Sequence, residues 1–209
     1  MSTICKWRRL VYSLDMTAPY PAKLNRSLRL SDGTLVRVRP IGAEDRAIEQ
    51  EFVRNLSAES KYFRFKSALG ELPEAMLIRF TRIDYDREMA LIALVCENRR
   101  EVEIGVARYV IDGTASGCEF ALVIADAWQH RGLGTILMLD LIAAARRRGL
   151  TSMQGMVLST NTAMLGLAHA LGFSIRTNSG DALVRYVTIH FAPDAPASQP
   201  AASAAANVN

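Results

Sequence analysis

Met89 to Cys96 is an unbroken apolar run of eight residues. An apolar residue at every position is the mark of a strand buried on both faces, with a packed layer on each side of its sheet. The segments around it fit that frame. Leu35, Val36, Val38 and Pro40 follow an Asp32-Gly33 turn and read as a first strand. Ala43-Glu44-Asp45 opens a helix with Ile48, Phe52 and Leu56 on one face. Ser57 is placed to cap a second helix carrying Tyr62, Phe63 and Phe65. Pro73 begins a third, with Met76, Phe80 and Ile83 at helical spacing.

After the apolar run, Asn98-Arg99-Arg100 turns the chain into a strand from Val102 to Ile111, and Cys118 to Ala125 is another. Leu133 to Arg148 is the strongest helix, ended by Gly149, with cations in its last turn. Met153 to Leu158 reads as a strand and Ala163 to Leu171 as a short helix. Phe173 to Arg176 and Leu183 to Phe191 read as the last strands. This order gives an α/β (α+β) domain with both parallel and antiparallel strand pairs.

Composition sets the boundaries. Of 209 residues, half are hydrophobic and 22% are charged, enough for one buried core. Residues 1–30 read as a basic arm of net charge +5, 31–191 as the domain, and 192–209 as a disordered tail of mostly Ala, Pro, Ser and Asn. The whole chain is only +4, so the basic character lies in the arm. Such an arm is expected to be solvated, and no nucleic-acid or membrane partner is expected. No apolar run approaches the roughly 18 residues that span a bilayer. The three cysteines, Cys5, Cys96 and Cys118, have no metal-site spacing, so neither a disulfide framework nor a metal is expected. A reducing cytoplasm is the expected location.

The chemistry gathers at Gln129-His130-Arg131-Gly132-Leu133-Gly134-Thr135, between a strand and the strongest helix. Two glycines permit a tight turn and close approach to a ligand, and a helix N-terminus suits an anion. The segment lacks the Gly-Lys-Ser/Thr of a Walker loop and the third glycine of a dinucleotide fingerprint. A pyrophosphate carried on another cofactor remains.

Gln129-x-x-Gly132-x-Gly134 resembles motif A of the GNAT superfamily of acyl-CoA-dependent N-acyltransferases. Asn161, the helix after it and Leu171-Gly172-Phe173 resemble motif B. Pro19-Tyr20-Pro21, Arg39-Pro40-Ile41, Tyr62-Phe63-Arg64-Phe65 and the stretch from Ile83 to Ala90 look like the acetyltransferase domain of bacterial Pat-type protein lysine acetyltransferases. The resemblance implies a GNAT fold, with a mixed, mostly antiparallel sheet of six to seven strands flanked by helices. It implies acetyl-CoA as co-substrate. The pantetheine arm would lie along Val123, Ile124 and Ala125, and the pyrophosphate would rest on the turn 129–135. Asn161 would contact the cofactor arm and also cap its helix.

Transfer to a lysine requires a base, because a free lysine is protonated at neutral pH. Glu119 is the candidate. A carboxylate on so apolar a strand is costly unless paired or functional, and it matches the general base of the Pat-type enzymes. Alternation puts Glu119, Ala121 and Val123 on one face and Cys118, Phe120, Leu122 and Ile124 on the other. Asp84, Asp86 and Glu88 form an acidic stretch that could attract the acceptor. Many GNAT enzymes carry a motif B Tyr as acid, whereas this chain has Ala168 followed by His169. The expected function is acetyl transfer to a lysine, on a protein such as an acyl-CoA synthetase. Acetylation of a small amine is the alternative, and a non-catalytic acyl-CoA-binding regulator is another.

Overall fold

Strands β3 (Glu88–Glu97) and β4 (Arg100–Ile111) pair antiparallel along their full length at the centre of the molecule. The computed structural model describes residues 19–67, 69–113, 115–178 and 180–191. As the unbroken apolar run requires, β3 is buried on both faces from Glu88 to Val95. Met89, Leu91, Ala93 and Val95 enter one hydrophobic cluster, and Ala90, Ile92 and Leu94 enter a second.

The remaining strands are β1 (Arg26–Arg29), β2 (Leu35–Pro40), β5 (Gly117–Ile124), β6 (Ser152–Leu158), β7 (Ser174–Asn178) and β8 (Asp181–His190). The sheet has eight strands in the order β1-β2-β3-β4-β5-β6-β8-β7, against the six to seven expected. Every pair is antiparallel except β5 with β6. The additional strand β1 lies within the segment expected to be an irregular arm. It pairs with β2, Leu30 is buried behind it, and the Tyr20 hydroxyl donates to the Pro40 carbonyl at 2.9 Å. Residues 1–18 and 192–209, the rest of the arm and the tail, lie outside the described residues.

Helices α1 (Arg46–Asn55), α2 (Ala58–Phe65) and α3 (Glu74–Thr81) belong to one face of the sheet, with α1 on β4 and α2 on β5. Helices α4 (Leu133–Arg147) and α5 (Thr162–Ala170) cover the other. Leu133, Leu137, Met138, Leu141 and Ala145 of α4 are almost fully buried, which is the apolar stripe seen in the sequence. Local caps set two helix starts. Ser57 Oγ accepts from the Ser60 N–H at 3.1 Å, and Asn161 Oδ1 accepts from the Met164 N–H at 3.0 Å. Among the described residues no helix is long and apolar enough to cross a membrane.

Candidate active site

A fork in the sheet defines the site. β5 and β6 share three parallel register pairs, Gly117 with Ser152, Cys118 with Met153 and Glu119 with Gln154. β5 then continues to Ile124 and β6 to Leu158 without further pairing. At the start of the opening, the Phe120 ring occupies the space over Gly155, where an added Cβ would meet it at 2.7 Å.

The ladder phase shows which backbone groups face the gap. Asp112 N–H donates to Gly117 O, and Ala125 N–H donates to Ile104 O, both on the β4 side. Alternation in an antiparallel pair then turns Val123 towards β4 with Ala125, and turns Leu122 and Ile124 towards the opening. Of the three residues expected along the cofactor arm, Ile124 therefore has its backbone on the open side, Val123 faces β4, and Ala125 gives its N–H to β4 and its carbonyl to the Trp128 N–H. Leu122, which the sequence reading did not single out, shares that open edge with Ile124. Side-chain parity shows the faces but not which neighbour lies on which edge.

Beyond β5, a short turn at Asp126–Trp128 leads to α4. His130 has φ 59° and Gly132 has φ 81°, so two left-handed residues close the turn. Gly132 has no Cβ to strain that conformation. At Gly134 a Cβ would stand 3.3 Å from Leu167 Cδ2, so the glycine lets α4 and α5 approach closely. No side chain caps α4, and its first turn holds no acidic residue. Its first N–H groups are thus directed at the turn with nothing negative competing for them. Leu133 is buried, Thr135 is exposed, and Arg131 lies 4.8 Å from the Trp128 ring while pairing with Asp32 at 3.2 Å. Gln129 directs its side-chain amide inward, to Ser60 Oγ at 3.3 Å and the Ile124 carbonyl at 3.2 Å.

Glu119 is the last β5 residue in register with β6, at the base of the fork. It is half-buried, on the α1–α3 face with Val123, whereas Cys118, Phe120 and Ile124 enter the α4–α5 core. Burial raises the Glu119 carboxyl above its ordinary value, and the Arg64 guanidinium of α2 pulls it the other way. Cys118 is fully buried, and burial pushes its thiol up to about 12, so it holds no reactive thiolate.

The acidic stretch does not stay together. Glu88 is not in an exposed loop. It is the first residue of β3, buried, and paired with Arg79 of α3 at 2.6 Å. Asp86 is exposed beside Arg148, just past α4, and Asp84 Oδ1 accepts from the Asp86 N–H. Only Glu88 shares the face of Glu119, separated from it by Val110 of β4. Ala168 is fully buried and His169 is exposed at the end of α5. Among the described residues no group of three or more His, Cys, Asp or Glu could hold a metal ion.

Comparison with known proteins assigns this architecture. The Acetyltransferase (GNAT) family profile matches residues 51–173. An acetyltransferase of Pseudomonas aeruginosa is 40% identical over 144 residues, 69% of this chain and 77% of that protein. Acetyltransferase Pat of Mycolicibacterium smegmatis is 32% identical over 117 residues, 56% of this chain but 34% of that longer protein. The crystal structure of the GNAT domain of S. lividans PAT superposes with a TM-score of 0.76 at 29% identity, covering 83% of this chain and all of that one. The chain belongs to the GNAT acetyltransferase family and is an acetyl-CoA-dependent acyltransferase. Its residues fit such a ligand. The edge of β5 that β6 leaves open at Leu122 and Ile124, where Gln129 already holds the Ile124 carbonyl, can take an amide-bearing arm, and the uncapped start of α4 can take phosphate.

Proposed function

We propose that the protein is a lysine N-acetyltransferase acting on a protein acceptor, with Glu119 as general base. Glu119 itself carries the reading. It is a half-buried carboxylate at the base of the fork, on the face opposite the inert Cys118. Likeness to the Pat proteins supports a protein acceptor, such as an acyl-CoA synthetase.

Bound acetyl-CoA would supply an acetyl thioester; the neutral amine forms the amide bond as the C–S bond breaks, and coenzyme A leaves as the thiolate, a tolerable leaving group with a pKa near that of cysteine. The protein's part is to hold and deprotonate that amine. The turn 129–135 holds the pyrophosphate through backbone N–H groups, and Leu122 and Ile124 offer the open edge of β5. Asn161 caps the start of α5, and contact with the cofactor arm is the second role assigned to it in this proposal. Glu119 removes the amine proton, directly or through water. Its raised pKa brings it nearer to the amine's, which eases proton transfer. Glu119 must be ionised to act, so activity falls as pH drops through that raised value. The acid limb therefore lies above the ordinary glutamate value of 4.5.

The test is incubation with acetyl-CoA and a bacterial acetyl-CoA synthetase, reading acetyl-lysine by mass spectrometry. We expect site-specific acetylation that drops about 10²- to 10⁴-fold in Glu119→Gln, the usual worth of a general base. Equal acetylation by the variant removes Glu119 from the role. Transfer to free amines but to no protein lysine moves the acceptor to a small molecule.

A further inference from the structure

We propose that Asp126, on the turn leading from β5 to the α4 cradle, is a positioning residue that holds α2 against the acceptor side of the site, so that cofactor and acceptor surfaces move as one unit. This rests on the reading that the acceptor amine meets Glu119 on the face where α2 packs.

The Asp126 carboxylate accepts three hydrogen bonds from residues nearly seventy positions earlier. Ser57 N–H donates at 2.9 Å, Ser57 Oγ at 2.7 Å and Ser60 Oγ at 2.8 Å. Ser60 is buried, and its hydroxyl in turn accepts from Gln129 Nε2. The same amide donates to the Ile124 carbonyl, on the open edge of β5. One cluster thus joins the start of α2, the turn before the cradle and the fork. Burial alone would raise the Asp126 carboxyl, yet the Ser57 and Ser60 bonds outweigh it and hold it below its ordinary value. The ionised acceptor makes these the stronger, charge-assisted kind of bond.

These bonds are not the helix's own cap. Ser57 Oγ already accepts the Ser60 N–H, and that interaction survives without Asp126. What Asp126 fixes is where the helix sits. A helix of eight residues has little stability alone, so tertiary bonds set its position. α2 also carries Arg64, whose charge acts on Glu119. Two residues of the motif A region, Asp126 and Gln129, are therefore bonded to α2 and its cap, and Gln129 also holds the Ile124 carbonyl. A ligand that stills the turn 126–135 stills α2 with it.

The experiment follows amide hydrogen exchange with and without coenzyme A, alongside calorimetric coenzyme A affinity. In the wild-type protein, coenzyme A should slow exchange in α2 as well as in the turn 129–135. In Asp126→Asn, exchange in α2 should rise about tenfold or more, matching loss of charge-assisted bonds in a local opening. Coenzyme A should no longer protect α2, while its affinity stays near that of the wild type. Ser60→Ala, which removes one Asp126 bond and keeps the Ser57 cap, should move α2 exchange in the same direction from the helix side. Ser60→Thr, which keeps the hydroxyl, should restore protection. Unchanged exchange in β3 and β4 verifies the fold. Two results overturn the proposal: α2 exchange indifferent to coenzyme A in the wild type, or an Asp126→Asn variant that loses coenzyme A affinity with α2 unaffected. Failure of Glu119→Gln to lose activity would sink the base while leaving these exchange results intact.

Discussion

The two layers that sandwich the sheet are built differently. Between the sheet and α4–α5, the buried side chains described are apolar or, at Tyr109 and Cys118, weakly polar and uncharged. The α1–α3 side holds every other buried polar or charged side chain described: Arg39, Asp45, Glu49, Ser60, Thr81, Glu88, Glu103 and Arg108. Glu119 faces this second layer. The difference teaches where specificity resides. An apolar layer is held by area and shape, which many side chains can supply. A layer of buried charges holds only while each partner is present, because a stranded charge is far costlier than a lost methyl group. The face proposed to meet an amine is the one already organised by ion pairs.

The strongest way to break this comparison is at Arg39. Its guanidinium binds Asp45 in a bidentate pair at 2.6 and 2.7 Å, and Asp45 also accepts the Gly42 N–H at 2.7 Å. Arg39→Met leaves Asp45 buried and unpaired, and should cost about 3–5 kcal/mol in urea unfolding. Adding Asp45→Asn should recover part of that loss, because no charge is then stranded. A double variant no better than the single one would show that packing, not charge, holds this corner. The apolar layer gives the counterpart. Leu141→Ala, at a fully buried position of α4, should cost about 2–5 kcal/mol through its cavity. That loss should be the same across the pH range, since no titrating group is involved.

The same contrast explains what was legible in the sequence. The apolar layer could be read because α4 repeats its stripe locally and β3 is apolar throughout. The caps at Ser57 and Asn161 could be read because donor and acceptor lie three residues apart. Glu119's face followed from strand parity. Strand β1 could not be read, because Arg26-Ser27-Leu28-Arg29 has no strong strand pattern and becomes a strand by pairing with β2. Glu88 was hidden for a similar reason, since Asp84, Asp86 and Glu88 look alike until β3 begins at the third. The fork itself needs the register of two strands separated by a helix. The Asp126 cluster needs residues nearly seventy positions apart, and local spacing carries no trace of it.

The smallest expected effect sharpens the comparison most. Glu103 of β4 is buried, and neither of its carboxyl oxygens accepts a hydrogen bond among the described residues. Glu49 of α1 faces it, with one oxygen 3.4 Å from Arg108 Nη2 and the other lacking a donor. Arg108 of β4 is the nearby cation, and Asp45 adds negative charge. Burial first, then the Glu49 charge and hydrogen bond, push Glu103 well above its ordinary value of 4.5. We therefore expect Glu103 to be the neutral partner, donating its proton to Glu49. A raised folded-state pKa stabilises fully below the ordinary value and loses that contribution as pH rises towards the folded value. Glu103→Gln keeps the shape and a donor but cannot ionise. Its stability should equal the wild type's below the ordinary glutamate value and exceed it increasingly as pH rises above that value, read as urea midpoints. Parallel midpoints for the two proteins would refute the shared proton.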